Sequence, residues 1–242
     1  MNGTALANEP QYITAMQADA ELRQLCGEMI LKIAHYRYSY NFTWLGVPVI
    51  QLPPDVLAMQ ELVWRVRPDL IIETGVAYGG SLIFYASLLE LLGNGAVLGI
   101  DVDIRAPNRA AIERHPLARR ITLVEGSSTS PEVAARAREA ARGKKCVLVV
   151  LDSNHTHDHV LRELELYAPL VTRGSYLVVF DTIIEDMPAH CFANRPWGPG
   201  NNPKTAVRAF LARDGRFEAD RELEARLLFT VAPEGYLRCV RD

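Results

Sequence analysis

The chain has 242 residues, 49% of them hydrophobic and 23% charged, with 26 basic and 29 acidic side chains giving a formal net charge of −3. That mixture can bury a sizeable core, which excludes disorder as the main state, and its slightly acidic balance excludes nucleic-acid binding through a broad basic surface. No apolar run approaches the roughly 20 residues of a membrane span, no basic-then-apolar leader opens the chain, and the four cysteines (Cys26, Cys146, Cys191, Cys239) form no CxxC pair. The expectation is a cytoplasmic α/β protein with free thiols and no membrane insertion.

In chain order, residues 1–17 read as a loose arm. Leu22, Leu25, Met29 and Ile33 recur at helical steps and predict a helix over Ala18–Tyr36. Tyr36, Tyr38, Tyr40, Phe42 and Trp44 then alternate with polar residues, which fits either an amphipathic strand or an aromatic lid. So much aromatic surface also suits a subunit contact, so the chain is expected to form a homo-oligomer. Residues 1–50 are accordingly read as an arm and residues 51–242 as the domain proper. Pro53-Pro54 opens a helix over Asp55–Val66, with Asp55 suited to its positive end.

From Leu70 onward, short apolar runs alternate with helices. The runs are Leu70–Ile72, Ala96–Ile100, Ile121–Val124, Cys146–Leu151 and Ser175–Phe180; the helices between them reach Leu92 and cover Pro107–His115, Pro131–Arg142 and His157–Ala168. Continuous apolar strands imply burial on both faces, hence a parallel sheet. After a last helix over Thr205–Leu211, Leu227–Val231 and Gly235–Val240 are joined by a short turn and predict a terminal antiparallel hairpin.

Several strand ends carry chemistry. Glu73-Thr74-Gly75-Val76-Ala77-Tyr78-Gly79-Gly80-Ser81 puts a carboxylate at the mouth of a glycine turn. A carboxylate is poorly placed against a pyrophosphate but suits a cation, such as the amino group of S-adenosylmethionine. Gly75, Tyr78, Gly79 and Ser81 would then line the cofactor. Asp101, ending the next strand, can accept from ribose hydroxyls or simply cap a helix, with Asp103 as its competitor. Ser127 and Ser128, after the third strand, fit either the adenine side or a plain turn. In Asp152-Ser153-Asn154-His155-Thr156-His157-Asp158-His159, the histidines either serve the site or stand in solvent at a capped helix start. Asp152 and Asp181 end neighbouring strands, so two carboxylates converge and call for a cation such as Mg²⁺ or for an arginine partner. In the turn-rich Asn194–Lys204 segment, Trp197, Asn201 and Asn202 fit contacts to a polyol, and an ordered surface loop fits equally. Glu185 and Asp186 read as a solvated charge pair.

Together, Glu73-Thr74-Gly75 with Gly79-Gly80-Ser81, Asp101-Val102-Asp103-Ile104-Arg105, Glu125-Gly126-Ser127-Ser128, Asp152-Ser153-Asn154-His155-Thr156-His157 and Gly198-Pro199-Gly200-Asn201-Asn202-Pro203 resemble the cephalosporin hydroxylase family from about Tyr40 onward. Despite that family's name, the resemblance implies the Rossmann-like class I methyltransferase fold, an α/β architecture with a seven-stranded, mostly parallel sheet and a C-terminal antiparallel hairpin. It also implies similarity to rhamnosyl and other sugar O-methyltransferases, and Mg²⁺ binding by Asp152 and acids around Asp181. Phe180 and Thr182 flank Asp181 here, whereas some relatives carry an acid beside it. The expected reaction is methyl transfer from S-adenosylmethionine to a hydroxyl of a small molecule, a sugar or related polyol. Glu73 would face the donor's amine, Asp101 its ribose, and Asp152 would serve both donor and metal. His155 is the candidate base and His157 the alternative. Two other readings stay open: an oxygenase with an iron triad of His155, His159 and Asp152, and a non-catalytic binding module.

Overall fold

A computed structural model describes residues 10–242. The arm expected over residues 1–17 lies partly outside that range; within it, Pro10–Ala18 forms a helix, α1. The single helix expected over Ala18–Tyr36 starts instead at Ala20 and ends at His35 as α2. Asp19 divides the two, because its carboxylate accepts from the Leu22 N–H at 2.9 Å and so caps α2. The aromatic stretch becomes a 3-10 turn over Tyr38–Asn41 and then Phe42–Trp44 (β1), which pairs antiparallel with Val47–Val49 (β2). Trp44 packs the hairpin down: its ring meets Phe84 edge-on at 4.8 Å, and its Nε1 donates to Ser87 Oγ at 3.0 Å. Tyr36, Tyr38 and Tyr40 remain exposed.

The remaining elements alternate as the apolar runs require. They are α3 (Pro53–Val66), β3 (Leu70–Thr74), α4 (Gly80–Leu92), β4 (Ala96–Asp101), α5 (Ala106–Glu113), β5 (Ile121–Glu125), α6 (Pro131–Ala141), β6 (Val147–Leu151), α7 (His157–Tyr167), β7 (Tyr176–Val179), α8 (Pro203–Leu211), β8 (Phe217–Ala219), α9 (Arg221–Arg226) and β9 (Tyr236–Cys239). The sheet order is β5-β4-β3-β6-β7-β9-β8, with the first five strands parallel and β9 antiparallel to both neighbours. Alternate residues of each strand enter opposite cores. Ile71, Val97, Leu148 and Val178 pack with α3 and α4, while Ile72, Leu98, Val149 and Leu177 pack with α6, α7 and α8. Among the described residues no helix is long and apolar enough to cross a membrane.

The terminal hairpin differs from expectation. β9 pairs with Phe217–Ala219, and Leu227–Val231 is not a strand. Asp55 explains the difference. From the first turn of α3, where the sequence places it, its buried carboxylate accepts from Thr230 Oγ1, from the Val231 N–H at 3.0 Å and from Tyr236 Oη at 2.7 Å. Those donors hold residues 230–231 off the sheet edge, which leaves β8 as the partner of β9.

Candidate active site

The parallel order reverses direction between β3 and β6, which opens a crevice beyond their carboxyl ends. Gly75 turns the chain there at φ +94°, and a Cβ on it would lie 2.0 Å from the Asp152 carbonyl oxygen, so only glycine fits. Gly80 is likewise pressed on the Pro48 carbonyl of β2, which fixes the hairpin against the loop. Asp101 Oδ2 accepts from the Val76 N–H at 2.7 Å and the Ala77 N–H at 3.2 Å, and its Oδ1 accepts from the Asp103 N–H at 3.2 Å. In this structure Asp101 therefore clasps the glycine loop.

Two cavities adjoin the crevice. The smaller, about 360 Å³, is lined by residues 75–81 together with Gln51, Asp152 and Ser153. The larger, about 660 Å³, runs under α2 and has mainly apolar walls that include Ile30, Ile33, Met187, Phe192 and Trp197. Ser39, Tyr40, His155, Asp181 and Val231 line both. His155 and Asp181 thus stand at a seam between the two spaces.

At that seam His155 Nε2 lies 3.2 Å from Asp181 Oδ2. The imidazole meets Trp197 edge-on at 4.9 Å, and the Arg195 guanidinium stacks on the other ring at 5.4 Å. One donor atom each from Asp152, His155 and Asp181 lies within 4.8 Å of the other two. Burial first, and the facing Asp181 carboxylate second, push Asp152 well above the ordinary carboxylate value. A cation at this point would relieve both effects.

The other expected site residues fall in several places. Glu73 does not line either cavity: fully buried, it accepts from Ser81 Oγ at 2.6 Å, and Ser81 lines the smaller space. Burial pushes Glu73 up to about 8. Gly75, Tyr78 and Gly79 do line that space. Ser127 Oγ pairs with Thr129 at 2.9 Å, and Ser128 Oγ with His159 Nε2 at 3.1 Å, both outside the seam. His159 also sits 3.2 Å from Ser153 Oγ and 3.6 Å from the buried Glu163, so the iron triad sketched from His155, His159 and Asp152 is not assembled. His157 is turned toward α8, its Nδ1 2.8 Å from Thr205 Oγ1, and lines neither cavity.

In the turn-rich segment, Trp197 alone of the three expected residues faces a cavity. Asn201 accepts from the His157 N–H at 2.9 Å and donates to the Pro196 carbonyl at 2.9 Å. Asn202, fully buried, caps α8 by accepting from the Lys204 and Thr205 N–H groups. Glu185 and Asp186, read from sequence as solvated, both have partners in this segment, though Asp186 stays exposed. Glu185 accepts from the Gly200 N–H at 2.7 Å and from Asn202, and these bonds hold it below its ordinary pKa; Asp186 takes the buried Lys204 ammonium at 2.6 Å. Sequence reasoning missed Gln51 and Val231 as cavity walls, whereas Tyr40, of the expected aromatic lid, lines both cavities. It named His155 as candidate base but not as the third member of the cluster with Asp152 and Asp181, although its place two residues ahead of α7 was the available signal.

Residues 36–240 match the family model described as Rhamnosyl O-methyltransferase/CmcI. A curated "Rhamnosyl O-methyltransferase" of Mycobacterium tuberculosis is 33% identical over 216 residues, covering 84% of this chain and 82% of its own. Another of that name, from Mycobacterium leprae, is 33% identical over 213 residues, covering 84% and 87%. The solved structure "cmcI-D160 Mg-SAM" shares the fold at a TM-score of 0.59 and 21% identity, covering 84% of this chain and 78% of that one. With the glycine loop at the switch point of a class I sheet, these matches place the chain in the rhamnosyl O-methyltransferase/CmcI family, as an S-adenosylmethionine-dependent O-methyltransferase.

Proposed function

We propose that the chain methylates a hydroxyl of a sugar or related polyol, with the donor in the smaller cavity and the acceptor in the larger. The observation that carries this is the seam itself: His155 and Asp181 line both spaces, so a sulfonium methyl and an acceptor oxygen entering from opposite sides meet there. Glycine-loop residues Gly75, Tyr78, Gly79 and Ser81 flank the donor. Asp152 faces its amine, with Glu73 acting behind Ser81. Asp101 Oδ1 accepts only one bond in this structure, so it retains a lone pair for a ribose hydroxyl. The mycobacterial relatives' name supports a sugar acceptor, and Trp197 offers a flat face against which its ring can rest, while the apolar walls suit a non-polar remainder of the same molecule.

In the transfer, the acceptor oxygen attacks the methyl carbon, the carbon–sulfur bond breaks, and sulfur departs as a neutral thioether. The hydroxyl proton must leave as the new bond forms. His155 takes it, and the Asp181 carboxylate at 3.2 Å stabilises the imidazolium that results. Alignment supplies the rest, because the sulfonium already activates the methyl group. Asp152 and Asp181 also fit a divalent cation, through two hard carboxylates with mutually close donor atoms, which leaves the neighbouring His155 imidazole free to take the proton. Mg²⁺ bound there would supply Lewis acidity that lowers the pKa of a hydroxyl beside it. We further propose self-association through the exposed Tyr12, Leu25, Met29 and Tyr36 of the N-terminal helices, to be tested by light scattering.

Incubation with methyl-labelled S-adenosylmethionine and a panel of glycosides and polyols tests the assignment. Label is expected in a glycoside as an ether. Label uptake by neither a glycoside nor a polyol would overturn it. Oxygen consumption with 2-oxoglutarate and Fe(II) would point to the oxygenase instead.

A further inference from the structure

Asp181 holds a backbone conformation that needs outside support. Its φ is +56° and its ψ +21°, the left-handed region, which a non-glycine residue keeps only where neighbours over-determine it. Those neighbours are the residues just before β9. The Val231 carbonyl accepts from the Ile183 N–H at 3.1 Å, and the Pro233 carbonyl accepts from the Oγ1 of fully buried Thr182 at 2.7 Å. On the other side of Asp181, the Phe180 ring stands edge-on to Tyr236 at 6.4 Å.

Two of these supports, Val231 and Tyr236, lead back to a single carboxylate. Asp55, 0% exposed, accepts from Thr230 Oγ1, from the Val231 N–H and from Tyr236 Oη. It touches neither cavity. Burial pushes its carboxyl up, so an acid is an unfavourable choice at this depth unless its three partners must be held. Resting on the cation site proposed above, we propose that Asp55 is a positioning residue for that site: through Val231 and Tyr236 it fixes the left-handed turn that aims Asp181 at Asp152 and His155.

Mn²⁺ binding, followed by its electron paramagnetic signal, tests this alongside the affinity for S-adenosylhomocysteine and the melting temperature of the same samples. Two variants break the tether from opposite ends: Asp55→Asn, and Tyr236→Phe, which removes only the hydroxyl on Asp55. Each should weaken Mn²⁺ binding about 10-fold or more, the usual cost of losing a group that orients a ligand, and leave S-adenosylhomocysteine affinity within about twofold. The double variant should be little worse than the poorer single one, because both act on one tether. Should Asp55→Asn fail to fold, Tyr236→Phe decides. Lower melting temperatures with unchanged Mn²⁺ affinity in the folded variants would overturn the proposal, as would equal losses for Mn²⁺ and S-adenosylhomocysteine. A wild-type chain that binds S-adenosylhomocysteine but no Mn²⁺ overturns the cation reading, and this proposal with it.

Discussion

His155 Nε2 lies 3.2 Å from Asp181 Oδ2, and both side chains belong to two cavities at once. On the proposed reading, His155 is the proton acceptor and its partner carboxylate stands between the spaces assigned to donor and acceptor. Removing the imidazole with His155→Ala should lower kcat by about 10²–10⁴, the usual range for a lost general base, and change S-adenosylhomocysteine affinity only a few-fold. Steady-state kinetics with calorimetry on the same preparation will show it. A variant within tenfold of wild type would remove His155 from the chemistry.

Glu73 predicts a pH signature in stability. Burial raises it from an ordinary 4.5 to about 8. Below about 4.5 both the folded and the unfolded chain carry the proton; between 4.5 and 8 the unfolded chain releases it while the folded chain keeps it. The unliganded protein should therefore lose stability as pH rises through that window. Asp55 and Asp152, also raised by burial, add slopes of the same sign. In Glu73→Gln the share due to Glu73 disappears, and melting temperature against pH should be visibly flatter than in wild type. Parallel curves for the two proteins would mean that Glu73 is ionised in the fold.

Gly75→Ala should damage fold and donor binding together. The added methyl would meet the Asp152 carbonyl oxygen at 2.0 Å and also strain φ +94°. A loss above about 2 kcal/mol in denaturant unfolding is expected, with S-adenosylhomocysteine binding weakened in parallel. Near-normal stability would show that the loop can move off Asp152.

Trp197 and Asn202 should separate cleanly. Trp197 faces the larger cavity, so Trp197→Ala should raise the acceptor KM and leave donor affinity intact. Asn202 caps α8, so Asn202→Ala should cost about 0.5–2 kcal/mol of stability from the cap, with more from its lost bond to Glu185. A large acceptor KM effect for Asn202→Ala at unchanged stability would return that residue to the substrate.

The central strands were legible because Leu70–Ile72 and Cys146–Leu151 are apolar on both faces, a pattern that only a covered parallel strand satisfies. Asp152 and Asp181 were legible for a related reason: each is the first acid after such a run, and their strands are neighbours. What could not be read depends on distant partners. Leu227–Val231 has a strand's composition, yet Asp55 captures its polar groups from another element. Among the histidines the start of α7 decides: His155 precedes it and reaches the seam, while His157 and His159, inside it, turn to Thr205 and Ser128. Asn201 and Asn202 carry the same donors and acceptors whether they hold a ligand or a loop, so residue type alone did not separate the two.

The most direct test of the seam is methyl transfer at saturating S-adenosylmethionine before and after removal of divalent cations, with S-adenosylhomocysteine affinity measured in the same solutions. In the proposed arrangement Asp152 and Asp181 would hold the ion beside His155, while the donor would rest mainly on the glycine loop and Asp101 and share only Asp152 with it. Chelation should therefore abolish turnover, added Mg²⁺ should restore it, and donor affinity should stay nearly constant. Asp181→Asn should lose activity that high Mg²⁺ partly returns, since its amide oxygen remains a weak ligand. Full turnover in excess chelator, or an Asp181→Asn variant as active as wild type, would contradict the account.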